Sequence, residues 1–253
     1  MLLFYLLFLS DCQVSYSNTQ TVAQNTMAQQ IFSDSINEFI VKVVYEAGAA
    51  PYTGPLGLSN DTWDVTKSSY QAIFSNHPAR TVSVPATLGA FTAIADQAQS
   101  SWTTDQLISL GKTLAPAVVT TNKATVTLIF LNGLYQGNSG VLGIHFSGYP
   151  FAFVFKDVVT SVGGTPIDQR YVEQATAVHE LGHVVGLVNN GIPLSSNYED
   201  TVHPRHSQNT NCVMYWTVES STSILAFLTN NILANRLNLF EAEPLADGRG
   251  YHP

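Results

Sequence analysis

The spacing of apolar and polar positions predicts strands first and helices later. Phe39 to Tyr45 is apolar and β-rich enough for a buried strand, whereas Thr103 to Leu114 has leucines at helical spacing after a Thr/Asp start. Three further segments have strand-like composition: Thr125 to Leu131, Val141 to Phe146, and Phe151 to Val159. The pattern therefore predicts a mixed sheet, with at least one helix between its strands along the chain.

Helical spacing dominates the second half of the chain. A helix around His179 follows the predicted sheet, and Ser220 to Leu239 carries a second helical pattern. The chain has 253 residues, 45% of them hydrophobic, which is enough for one domain with a sizeable core. No internal repeat or clear linker divides it, although Ala47 to Asn60 is a long connection. These features predict an α+β fold.

The N-terminus carries an apolar run, Leu2 to Leu9, that is long enough for an export signal and too short to span a bilayer. We therefore expect an N-terminal segment over residues 1–24 and one domain over residues 25–253. The expected location is extracellular or at the outer face of the cell membrane. Attachment to the membrane through the N-terminus, for example by lipidation of Cys12, is the alternative to a cleaved signal.

The charge balance limits the partners. Ten Lys and Arg residues against 18 Asp and Glu residues give a formal charge of −8. Because no basic patch is present to follow a phosphate backbone, nucleic acid is not an expected partner. The sequence does not determine an oligomeric state.

The segment from Ala177 to Gly186 contains H-E-x-x-H, the pattern of a helical zinc site. His179 and His183 lie four residues apart, so both imidazoles can reach one metal ion from the same helical face. Glu180 lies between them, where it can contact a water bound to the metal. About 0.006 such matches are expected by chance in a chain of this composition, so coincidence is a poor explanation. The pattern predicts that His179 and His183 bind zinc and that Glu180 is the catalytic base.

The residues after the helix resemble the metzincin clan of zinc peptidases, whose pattern is H-E-x-x-H-x-x-G-x-x-H followed by a methionine turn. Gly186 matches the glycine of this pattern, but Asn189 occupies the position of the third histidine. An amide is a poor zinc ligand, so another residue must complete the usual three protein ligands. The candidates, in order of preference, are His206, His203 and Asp200.

A second resemblance, to archaemetzincins, favours His206. In that family the third ligand begins the pattern H-C-x4-C-x-M, and the run from His206 to Met214 has the same spacing, with Cys212 in place. Ser207 replaces the first cysteine, so the family's second, structural zinc is not expected and one zinc ion per chain is predicted. The resemblance also covers prokaryotic metalloproteases with H-E-x-G-H-x-x-G-L-V-N-N-G, and it extends over Val178 to Trp216. The simplest alignment inserts residues 189–205 as a loop beside the cleft.

The resemblance implies a metzincin-like domain. Its upper half holds a mixed sheet and the active-site helix, and its lower half holds the methionine turn and a C-terminal helix. An edge strand from the segment Val141 to Val159 would pair with a bound peptide. Met214 would form a hydrophobic base under the zinc, and Tyr215 is a candidate oxyanion helper, although it directly follows the methionine.

These inferences predict a zinc-dependent endopeptidase that hydrolyses a peptide or protein substrate, with Glu180 as general base. Two other functions stay open: a non-catalytic zinc-binding module of the same fold, and a zinc hydrolase of a non-peptide bond. A second ligand set also stays open, in which His203 binds the metal and His206 orients it.

Overall fold

The computed structural model describes residues 18–56, 60–162, 164–233 and 236–253. The predicted export signal and Cys12 lie outside this part of the chain. Among the described residues, no helix has the length and apolar content that crossing a bilayer requires. Export and membrane attachment therefore stay predictions.

Eleven strands are formed by the described residues, most of them short. They are β1 (Glu38–Glu46), β2 (Pro55–Leu56), β3 (Asn60–Asp61), β4 (Thr81–Ser83), β5 (Thr92–Ile94), β6 (Ser101–Trp102), β7 (Val119–Thr120), β8 (Lys123–Leu131), β9 (Leu134–Tyr135), β10 (Gly143–His145) and β11 (Phe151–Phe155).

Seven α-helices lie in the same part of the chain, together with the 3-10 helices Leu88–Ala90 and Trp216–Glu219. The α-helices are α1 (Asn18–Phe32), α2 (Asp64–Ile73), α3 (Thr104–Leu114), α4 (Lys156–Ser161), α5 (Pro166–Val185), α6 (Ile224–Leu233) and α7 (Ala242–Gly250).

The main sheet has the strand order β10-β11-β8-β1-β4, with β5 also paired to β1 and β7 to β8. Pairing is parallel from β11 through β8 and β1 to β4, while β10 and β7 are antiparallel to their neighbours. Both β8, beyond its first residues, and β11 are buried. Such continuous apolar runs are typical of parallel strands that are covered on both faces. The predicted mixed α+β fold is confirmed.

One predicted strand is too long. The segment Phe151 to Val159 was expected to be a strand, but β11 ends at Phe155 and α4 follows at once. The Lys156 ammonium group forms a buried ion pair with Glu173 of α5. This ion pair joins α4 to α5, and no local sequence pattern indicates it. The predicted C-terminal helix is likewise shorter, since α6 covers only Ile224–Leu233.

Helix α1 was not predicted, because its residues are largely polar. Met27, Ala28, Ile31 and Phe32 are nevertheless buried in the core. The helix continues across the expected boundary between residues 24 and 25, and the Gln24 amide donates to the backbone oxygens of His183 and Val184 at 3.1 Å each. Helix α1 thus covers the end of α5, while the division of the chain at residue 24 stays a prediction.

Helix α5 runs through the middle of the domain and is buried from Tyr171 to Val185. Thr165 and Asp168 form a capping box at its first turn, next to a proline at the first helical position. Gly186 ends the helix in the left-handed conformation at φ 98°, which glycine adopts without strain. Packing on all sides holds this helix rigid, so side chains on it are suited to precise positioning.

Candidate metal centre

Two imidazoles of α5 face the same point. The Nε2 atoms of His179 and His183 are 3.0 Å apart, and the ring centroids are 4.7 Å apart. His179 Nδ1 donates a hydrogen bond to the backbone oxygen of Val213 at 2.6 Å. That bond directs Nε2 toward His183, and an imidazole held through its other nitrogen in this way is usual for a histidine that binds a metal.

His206 completes the group from a different part of the chain. Its ring centroid lies 5.3 Å from that of His179 and 5.0 Å from that of His183. His206 Nδ1 donates to the Pro204 oxygen at 3.1 Å, which again leaves Nε2 facing the other two histidines. A bridge between Glu199 and Ser207 closes the hairpin that carries His206. Three imidazole nitrogens are thus available to one ion.

His203 and Asp200 lie apart from this group. His203 Nδ1 is 2.8 Å from the Asp200 carboxylate, and its ring stacks on Trp216 with centroids 4.2 Å apart. Asn189 is also elsewhere, because its amide donates to the Glu199 carboxylate at 2.9 Å. The convergent ligand atoms belong to His206 and not to His203.

The predicted methionine turn packs directly under α5. Met214 is fully buried, and a Cβ added to Gly182 of α5 would lie 2.5 Å from the Met214 sulfur. The turn is closed by the Tyr215 amide, which donates to the Cys212 oxygen at 3.0 Å. The glycine in the helix therefore makes room for the methionine, and the neighbouring Val213 oxygen orients His179.

Tyr215 is half-buried and packs at an angle against Trp216, with ring centroids 6.0 Å apart. Its role as an oxyanion helper stays a prediction.

Glu180 is buried, and within the described residues neither of its carboxylate oxygens has a hydrogen-bond partner. A Cβ added to Gly143 of β10 would lie 2.6 Å from Glu180 Cγ, so the carboxylate lies directly against the edge strand. Burial raises the pKa of Glu180 well above its ordinary value, and the charge of Glu219 adds to this effect. Burial of a carboxylate without a partner costs folding free energy. Such a group is typical of a functional site.

Glu219 was not predicted and lies closest to the three imidazoles. Its Oε1 atom is 3.1 Å from His179 Nε2, 3.4 Å from His183 Nε2 and 2.9 Å from His206 Nε2. Glu219 is the last residue of the 3-10 helix Trp216–Glu219, and no local pattern marks it. Only the folded chain brings it next to α5.

The electrostatics follow from these contacts. Burial lowers the pKa of His183 well below its ordinary value. Burial alone would raise the pKa of Glu219, but the charge of His206 and hydrogen bonds with the three histidines hold it well below its usual range. For His206, the charge and hydrogen bond of Glu219 outweigh burial and raise the pKa. The site therefore favours an anionic carboxylate beside imidazoles.

Three histidines and one glutamate form a group whose ligand atoms all lie within 4.8 Å of one another. Imidazole nitrogen and carboxylate oxygen are ligands that zinc prefers in proteins. The donor set thus fits one zinc ion. A second group of this kind among the described residues consists of Asp34, His77 and His252.

No family profile matches the chain, and no curated protein sequence matches it. Among solved structures, the chain is similar to archaemetzincin from Archaeoglobus fulgidus in complex with malonate. The two share 18% sequence identity over 83% of this chain and 99% of that chain, with a TM-score of 0.41. Similarity at this level carries no argument about function, which must rest on the residues of the site.

Proposed function

We propose that this chain is a zinc-dependent endopeptidase with a metzincin-like fold. The observation that supports it is the convergence of His179, His183 and His206 beside Glu180, whose buried carboxylate has no partner within the described residues. A structural zinc site has no need for such a carboxylate, whereas a hydrolytic site needs a base. Export, with action outside the cell or at the outer membrane face, is part of the proposal and rests on the apolar run Leu2 to Leu9.

The mechanism assigns each residue one task. A bound zinc ion would supply Lewis acidity and lower the pKa of a water molecule. His179, His183 and His206 would hold that ion, and the Val213 and Pro204 carbonyls would keep His179 and His206 correctly oriented. Glu180 would accept the proton of the attacking water and pass it to the leaving amine.

Strand β10 is the proposed docking edge for the substrate. Among the described residues, β10 pairs with β11 alone in the main sheet, and Gly143 lies against Glu180. A peptide added along this strand would bring its backbone next to the base. Peptide or protein substrates therefore fit the site better than small molecules without an extended backbone.

A non-catalytic zinc module is the second candidate, and one observation favours it. Glu219 Oε1 lies where a fourth protein ligand would stand, and structural zinc sites are closed by four protein ligands. The unpartnered Glu180 carboxylate favours the enzyme.

The test is metal content measured by plasma mass spectrometry, together with cleavage of casein and quenched peptides by the same samples. Wild type is expected to hold zinc at the histidine group and to show cleavage that a chelator removes. His206→Ala is expected to lose one equivalent of zinc and the cleavage together. Zinc without any cleavage would favour the non-catalytic module, and a site that takes up no zinc would refute both candidates.

A further inference from the structure

Glu219 has the geometry of a fourth metal ligand. Ligands about 2.1 Å from a tetrahedral zinc ion lie about 3.4 Å from one another. The Glu219 Oε1 atom lies 2.9 to 3.4 Å from the three histidine Nε2 atoms, and the Nε2 atoms of His179 and His183 are 3.0 Å apart. One ion would fit among these four atoms with no open position.

A catalytic zinc site needs an open position for water or substrate. Glu219 would occupy that position, yet Glu180 next to it is the unpartnered base that hydrolysis needs. Both observations agree if the Glu219 carboxylate is a ligand of the resting site that leaves during catalysis.

The segment that carries Glu219 also covers the approach to β10. We call residues 216–221 the latch. The Leu142 amide donates to the Glu219 oxygen at 2.9 Å, and the Ser221 amide donates to the Gly140 oxygen at 3.0 Å. Val141 and Ser220 form an antiparallel bridge between these two bonds. The latch thus pairs with the chain as it enters β10, which is how a substrate strand would add to this edge.

The latch has features that allow release. The Glu219 side chain is 35% exposed, and the residues that follow it, Ser221 to Ser223, are small and polar. Val218, in contrast, is fully buried and anchors the segment. Residues 219–221 can therefore separate from residues 140–142 and turn the carboxylate toward solvent while Val218 keeps the segment attached to the domain.

We propose that Glu219 is a displaceable fourth ligand and that the latch holds the enzyme in a self-inhibited state. The proposal rests on the proposed peptidase function. An extended peptide that pairs beyond β10 would compete with residues 219–221 for the backbone of residues 140–142. Its arrival would free the fourth position for the attacking water.

The test uses Glu219→Ala and Glu219→Gln, with Glu38→Gln as the control because this carboxylate contacts Lys123 and Ser83 and not the latch. Each protein is loaded with zinc for activity and with Co²⁺ for absorption spectra, in an Asp34→Asn background that removes one ligand of the second candidate group. Wild type is expected to give a four-coordinate cobalt spectrum that azide does not change. Both Glu219 variants are expected to bind the metal more weakly and to give spectra that azide shifts.

Activity supplies the second measurement. If the open state holds about 1–10% of the wild-type population, removal of the carboxylate raises kcat/KM for a short peptide about 10- to 100-fold. The Glu38→Gln control should match wild type in both measurements.

The outcomes separate the latch from the peptidase. An azide-sensitive spectrum in wild type, or cleavage by wild type that does not rise in the Glu219 variants, would overturn the latch and leave the peptidase standing. Loss of both metal and cleavage in Glu219→Ala would make Glu219 an obligatory ligand and also overturn the latch. Absence of cleavage in every variant, with the expected cobalt spectra, would overturn the peptidase and the latch while retaining Glu219 as a ligand.

A second, independent observation concerns His77, whose ring is fully buried. His77 Nε2 donates to the Gly248 oxygen at 2.9 Å, and His252 Nε2 donates to the Arg249 oxygen at 3.2 Å. Both Nδ1 atoms face the Asp34 carboxylate, which is hydrogen-bonded to His252 Nδ1. They lie 3.7 Å and 2.8 Å, respectively, from Asp34 Oδ1, and His77 Nδ1 has no hydrogen-bond partner among the described residues.

A cation shared by these three groups would give the buried His77 Nδ1 atom a partner and balance the Asp34 charge. We infer that Asp34, His77 and His252 bind a second divalent transition-metal ion, beyond the one zinc predicted from the sequence. Imidazole and carboxylate ligands suit zinc, and the partly exposed Asp34 leaves room for a solvent ligand. Arg80 lies near enough to affect the pKa of Asp34 and His77, and its positive charge weakens cation binding. Its guanidinium donates to three backbone oxygens, which fixes it beside the site.

The test is zinc binding by a variant that carries both His206→Ala and Glu219→Ala, which leaves the first group only two histidines. Calorimetric titration with zinc should show one equivalent, and adding Asp34→Asn or His252→Gln should remove it. Both added changes are at partly exposed side chains, so folding should be preserved and can be checked by circular dichroism. Binding that persists after both of these added changes, or its absence in the His206→Ala/Glu219→Ala background, would overturn the second site.

Discussion

Gly143 of β10 and Glu180 of α5 are in direct contact, since a Cβ on Gly143 would lie 2.6 Å from Glu180 Cγ and 2.9 Å from its Oε1 atom. The edge strand and the proposed base therefore meet without any side chain between them. A side chain at position 143 would therefore require the Glu180 side chain to move.

Gly143→Ala is expected to lower kcat at least tenfold and to retain zinc, because the new methyl group displaces Glu180 and not a ligand. Overpacking of this kind costs about 1–3 kcal/mol of unfolding free energy. Gly89→Ala is the matched control, since a Cβ at that position would have no atom within 4 Å. The measurements are kcat, zinc content and thermal unfolding. Full activity in Gly143→Ala would contradict the role of this contact.

Glu180→Gln is expected to abolish turnover and to keep the metal, because the amide has nearly the same shape but cannot accept the proton. Glu38→Gln serves as the control and should be fully active, because this carboxylate of β1 pairs with Lys123 of β8. Peptide cleavage and zinc content are measured on the same preparations. Turnover by Glu180→Gln near the wild-type rate would refute the assignment of the base.

The third ligand is tested by comparing two histidines that are close in sequence. His206→Ala is expected to lose one equivalent of zinc, because its Nε2 atom faces the other two histidines. His203→Ala should keep the metal, since His203 pairs with Asp200 and stacks on Trp216. The reverse result would exchange their roles.

Met214 is expected to act by packing alone. Met214→Leu should cost less than about 1.5 kcal/mol of stability, and Met214→Ala about 2–5 kcal/mol, because the second change leaves a cavity under α5. Both variants should still bind zinc at saturating concentration. Denaturant unfolding and metal titration check this, and loss of zinc from folded Met214→Leu would show that the sulfur does more than fill space.

The buried ion pair between Lys156 and Glu173 joins α4 to α5, with both side chains at most 9% exposed. Lys156→Met leaves the Glu173 carboxylate without its cation and is expected to cost about 3–5 kcal/mol of unfolding free energy. Adding Glu173→Gln should recover much of that loss. Lys123→Met, at the exposed pair with Glu38, should cost no more than about 1 kcal/mol. Urea unfolding measures both variants, and equal losses of unfolding free energy in Lys156→Met and Lys123→Met would contradict this prediction.

Several features could be predicted because they depend on neighbours in sequence. The predicted strand Phe39 to Tyr45 lies within β1, and the helix start at Thr103 is a capping box in the structure. His179 and His183 share a face because an α-helix brings residues four apart together. The strand that was expected to continue to Val159 shows the limit, because the Lys156–Glu173 pair stabilises a helix there.

What the sequence by itself determined is therefore the local part of the site: two histidines and a glutamate on one buried helix, followed by a methionine turn. The tertiary structure decided which further residues meet them. His206 comes from a hairpin closed by Glu199 and Ser207, and Glu219 from a short 3-10 helix, neither of which has a repeating pattern. Helix geometry fixes contacts within a few residues, whereas contacts across loops depend on how the whole chain packs.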